Sequence, residues 1–107
     1  MMLFRIWCVV IFAVLAVYTA PVFIAEPNLF PAFFGAIAAG GWQGQFNFDF
    51  MFMLTLSGLW VGWRHRWTAA GSGLALLAFL GGAAFLSVYL LVQSVRCRGD
   101  LRQMLVG

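Results

Sequence analysis

Residues 74–92 read LALLAFLGGAAFLSVYLLV, without a charge, and two stretches of the same kind precede them: 6–24, IWCVVIFAVLAVYTAPVFI, and 46–63, FNFDFMFMLTLSGLWVGW. Across all three the only charged side chain is Asp49. A helix of 18 or 19 residues rises roughly 28 Å, close to the ~30 Å hydrocarbon core of a bilayer. This predicts an all-α integral membrane protein, a three-helix bundle in which residues 1–107 form one transmembrane domain with spans at 6–24, 46–63 and 74–92.

Composition agrees. Hydrophobic residues make up 64% and charged residues 8%, against about 45–50% and 25% in a soluble domain. The longest piece outside the spans, residues 25–45, is too short to fold alone. The net charge of +3 comes from six arginines opposing Glu26, Asp49 and Asp100. They stand at span ends, where arginine meets anionic headgroups, so the expected partner is the lipid bilayer and not nucleic acid. The first run is longer than the apolar part of a signal peptide, and a cut after Ala25 would put bulky Phe23 at the minus-three position; an uncleaved span is expected. With three spans, Cys8 and Cys97 fall on opposite membrane faces, so neither a disulfide nor a zinc site is expected.

Orientation turns on arginine. Arg5, Arg64 and Arg66 share one side of a three-span layout and Arg96, Arg98 and Arg102 the other, a tie. The first helix tends to dominate, and the loop after it has no basic residue, so the N-terminus is expected in the cytoplasm.

Pro21 lies in the last turn of the first span, and Glu26-Pro27-Asn28-Leu29-Phe30-Pro31 follows. Two prolines there predict a turn that stops any helix. Residues 32–41 are apolar but too short to span, which predicts a short interfacial helix between helices 1 and 2. Asn47 is the expected N-cap of the second span, with Asp49 in its first turn. Trp60, Trp63 and Trp67 around Arg64, His65 and Arg66 form an aromatic belt with basic interfacial anchors. A short connection through Gly71 and Gly73 makes helices 2 and 3 an antiparallel pair.

Small residues mark the packing faces. Gly58 and Gly62 form a small-xxx-small pair, and Gly71, Ala75, Ala78 and Gly82 form a longer seam, joining helices of one chain or of separate chains. Asp49 is the candidate ligand or proton site, with Glu26 near the same membrane face, because a carboxylate inside a span is costly and often marks an ion path. His65, between two arginines at a helix end, does not suggest a metal or haem ligand, and no metal, catalytic residue or cofactor is predicted. Phe46, Phe48, Phe50 and Phe52 diverge around the helix and must face lipid, protein or a bound lipid, quinone or pigment.

The plain first span, Pro-rich turn, Phe48-Asp49-Phe50, the Trp63-Arg64-His65-Arg66 hinge and the glycine-rich third span resemble a family of small bacterial membrane proteins of unknown function, over roughly residues 11–98. The resemblance implies three helices in a bacterial inner membrane and no activity. The leading expectation is a small non-catalytic accessory subunit that packs against other membrane protein subunits. Two alternatives are an oligomeric binding or transport unit using Asp49 for a hydrophobic or cationic ligand, and a small lipid- or isoprenoid-modifying enzyme.

Overall fold

Apolar side chains at nearly every position satisfy a helix and leave a strand no polar face, and the computed structural model, which describes residues 1–107, is all-helical. The helices are α1 (Met2–Ala25), α2 (Leu29–Ala39), α3 (Trp42–Arg64), α4 (Ala69–Arg96) and α5 (Leu101–Val106). By length and composition α1 and, counted along its whole length, α4 are long and apolar enough to cross a membrane. α3 is not among them, diluted by Gln43, Gln45, Asn47 and Asp49.

The main departure from expectation lies in α4. Gly82 has φ 57° and ψ −141°, outside the helical region. The chain doubles back there. On the outward leg Gly71 meets His65, Ala75 meets Gly58, and Gly82 meets Phe50 and Leu54. On the return leg Tyr89 is again beside His65, and Cys97 is beside Arg64. The expected straight crossing over 74–92 is therefore a helical hairpin, legs 69–81 and 83–96. Each leg is roughly 20 Å long by helical rise, shorter than a hydrocarbon core.

That reversal moves charge. Arg5 donates to Ser94 through Nε and Nη2, Arg64 reaches α5, and Met1 packs near Gly99. All six arginines therefore gather at one end of the molecule, and the expected three-against-three division is corrected. Cys8 and Cys97, expected on opposite faces, lie toward this same end as buried free thiols.

Helix boundaries shift for local reasons. Asn28 caps α2 by accepting from the Phe30 amide. Pro31 then sits in the first turn, where its missing N–H leaves no bond unmade; the Pro-rich segment opens a helix as well as ending one. α3 begins at Trp42, so Asn47 is not its N-cap and Asp49 is not in its first turn. Asn47 instead donates to the Phe33 carbonyl, tying α3 to α2. Gly44 allows this approach: a Cβ there would meet the Ala36 backbone.

α3 and the return leg of α4 end alike. Trp67 N bonds to Gly62 O and Arg66 N to Trp63 O; Gly99 N bonds to Ser94 O and Arg98 N to Val95 O. Both are Schellman motifs. Arg66 and Arg98 occupy the left-handed positions, at φ 54° and 52°. The Trp67 ring folds onto Gly62, so that glycine accommodates an indole and not a neighbouring helix. The core is thin: Val61, Ala78 and Tyr89, flanked by Trp60, Leu74, Phe85 and Leu86.

Candidate functional site: the Arg64 cluster

The site is built where α3 ends. Arg64, expected as an interfacial anchor, points inward and is only 8% exposed. A buried guanidinium must have its donors satisfied, because an unpaired buried charge is expensive. Arg64 Nε donates to Met104 O and Nη2 to Gln103 O at 3.1 Å. Nη2 also contacts Cys97 Sγ at 3.7 Å, and Nη1 donates to the Tyr89 hydroxyl at 3.2 Å.

α5 exists to receive these donors. Asp100 caps it, accepting from the Arg102 and Gln103 amides, which directs its C-terminal carbonyls back at α3. The last carbonyls of any helix lack intrahelical partners. Arg64 takes that of Met104 and shares that of Gln103 with the Gly107 amide, and Trp60 Nε1 takes that of Leu105 at 3.0 Å. A cation at a helix C-terminus is also favoured by the backbone dipoles. Trp60 further packs edge-on against Tyr89, ring centroids 5.9 Å apart.

His65 completes the cluster, its Nε2 lying 2.6 Å from Tyr89 Oη and 3.4 Å from Arg64 Nη1. Arginine only donates, so the consistent assignment has Arg64 donating to Tyr89 Oη and Tyr89 donating to His65 Nε2. That places the imidazole proton on Nδ1, an assignment made from the network. Burial lowers the His65 pKa, and the charges of Arg64 and Arg96 lower it further. The ring is therefore held neutral, as the network requires.

A cavity of about 330 Å³ opens beside these groups. Arg64, His65, Gln93, Arg96 and Gln103 line it, with the backbone of Gly107 on one side. Gln93 is 6% exposed; its amide oxygen takes the Cys97 thiol at 4.0 Å.

The expected candidates lie elsewhere. Asp49 is exposed in a shallow recess with Gln45, Phe48 and Phe52. Glu26 is exposed at the end of α1, and no contact joins the two carboxylates. Gly58, Ala75 and Ala78 lie where α3 meets α4, Gly71 lies under His65, and Gly82 is the turn itself. Trp63 and Trp67 remain half exposed and Arg66 is exposed. No group of three or more His, Cys, Asp or Glu side chains is placed to hold a metal ion.

Sequence reasoning missed Tyr89, Gln93, Cys97 and Gln103. The available signal was the Gly81-Gly82 pair at the middle of residues 74–92, because paired glycines can reverse a chain as well as pack it. No protein-family model matches this chain, and neither a curated protein nor a solved structure matches it.

Proposed function

We propose that this chain is a small, non-catalytic integral membrane protein of a bacterial inner membrane, packing as an accessory subunit against other membrane proteins. In this reading α1 and α3 cross the bilayer, and the α4 hairpin enters and leaves on the arginine side. Trp42 and Trp63 begin and nearly end α3, and by helical rise they stand roughly 31 Å apart, the spacing of the two interfacial belts. Six arginines at one end favour that end, with both termini, in the cytoplasm.

The observation that carries the subunit reading is the uncovered outer half of α1. Arg5 pairs with Ser94, and Ser94 lies twelve positions after Gly82 on the return leg; by helical rise the hairpin tip stands roughly level with Val17. From about a turn below that level and on past it, Ala13, Val14, Val17, Tyr18, Pro21 and Val22 line an open apolar groove of about 730 Å³ along one face of α1. Val17 is 76% and Tyr18 73% exposed. Another membrane helix fits such a groove, and Tyr18 supplies a hydroxyl that can bond across it.

The test is purification of the tagged chain in mild detergent, followed by identification of what co-migrates. Stoichiometric partner proteins, released by Val17→Trp, are expected. A chain that migrates alone, or only with copies of itself, overturns the subunit reading.

A further inference from the structure

We propose that the cavity between α3, the return leg of α4 and α5 binds a phosphate group, carried by a phospholipid headgroup or free as inorganic phosphate. Three observations converge on it. The first is uncompensated charge. Every partner of Arg64 is neutral: two carbonyls, a phenol, a thiol and an imidazole. Its full positive charge therefore remains inside the protein. Arg96, exposed and lining the same cavity, adds a second. The one acidic side chain of this end, Asp100, is turned to the amides of α5, and a carboxylate on Gly107 at the cavity edge would offset only one of the two arginine charges.

The second observation is a set of free donors. Since His65 Nε2 accepts from Tyr89, its Nδ1–H is left without an intramolecular partner on a residue that lines the cavity. Gln93 is more than nine-tenths buried, lines the cavity, and has no intramolecular partner for its amide nitrogen. No fully enclosed side-chain nitrogen or oxygen lacks a partner, so that nitrogen is not sealed off, and this cavity is the opening that Gln93 lines. Arg96 makes no intramolecular hydrogen bond and offers its whole fork. Donors from α3 (His65) and from the return leg of α4 (Gln93 and Arg96) outnumber what a planar carboxylate needs, which the arginine alone would satisfy, and suit the several oxygens of phosphate.

The third observation is place and size. The cavity, about 330 Å³, is at the lower end of the range for small-molecule sites. Its lining residues Arg64 and His65 follow Trp63 directly in the chain, and in the membrane reading that tryptophan marks the level where headgroup phosphates lie. The headgroup source rests on the membrane reading of the fold; the phosphate chemistry does not.

The test uses the full chain in mild detergent with two probes. Inorganic phosphate is titrated by calorimetry. Phospholipid is offered as vesicles of phosphatidylglycerol and phosphatidylcholine, and the lipid retained per chain is counted by native mass spectrometry. One phosphate-bearing ligand per chain is expected, weakened about tenfold by Arg96→Gln, the loss of one charge-assisted contact. Gln93→Leu is expected to weaken it as well, and Arg66→Gln, at the same end but outside the cavity, to leave it unchanged. Retained phosphatidylglycerol that inorganic phosphate does not displace assigns the headgroup; phosphate binding without retained lipid assigns the free anion. If neither probe binds at one per chain, or if Arg66→Gln weakens binding as much as Arg96→Gln, the proposal fails. Circular dichroism of each variant separates lost binding from lost folding.

Discussion

The Tyr89 hydroxyl lies 2.6 Å from Nε2 of His65 although 24 positions separate the two residues. A straight helix would hold positions that far apart roughly 36 Å away. Their contact is possible because the chain reverses at Gly82, and it joins the middle of the return leg of α4 to the end of α3.

Gly82 carries that reversal at φ 57° and ψ −141°. A side chain there is strained whatever space surrounds it, at a cost of about 1–3 kcal/mol. Gly82→Val is expected to lower stability by at least this amount in denaturant unfolding of the detergent-solubilised chain. Gly73→Ala, whose added methyl meets nothing, serves as the control and is expected to be neutral or slightly stabilising.

The hairpin also fixes where the chain ends. Topology reporters fused separately to the two termini are expected to report the same side, the cytoplasmic one in the function proposed above. A straight crossing by residues 74–92 would put them on opposite sides, so a split result removes the hairpin from the membrane-inserted protein.

Tyr89→Phe removes the acceptor of Arg64 and the donor to His65 while keeping the ring that packs on Trp60 and Phe85. The guanidinium stays buried with one bond fewer. A loss of about 1–3 kcal/mol is expected, measured by the same unfolding experiment. An unchanged midpoint would mean that water replaces the hydroxyl without cost.

His65 makes stability depend on pH. Burial first, then Arg64 and Arg96, hold its pKa below the ordinary 6.5. Between the lowered folded value and 6.5 the unfolded chain takes up a proton that the folded chain does not. Stability is therefore full above 6.5 and falls as pH drops below it. Unfolding midpoints measured from about pH 8 to about pH 5 are expected to decline, and His65→Gln is expected to flatten that decline.

Much of the helical content was legible from local pattern. The apolar runs gave α1 and the body of α3 to within a few residues, and Asn28 is a capping residue by type. Arg64 was legible only as a cation at a helix end. Its inward turn depends on the carbonyls of Gln103 and Met104, forty or so residues later. Asn47 shows the same limit: a good N-cap by type, it is used mid-helix because Phe33 O stands opposite it.

By itself the sequence determined the helical state, since long apolar runs satisfy every backbone group internally only as helices in a non-aqueous solvent. It also determined that charge gathers at helix ends. Only the tertiary structure decided that all six arginines share one end and that a cation is buried there. The reason is Gly82: one pair of dihedral angles reverses half the last apolar segment, while the composition and hydropathy of that segment are the same for a straight helix and for a hairpin.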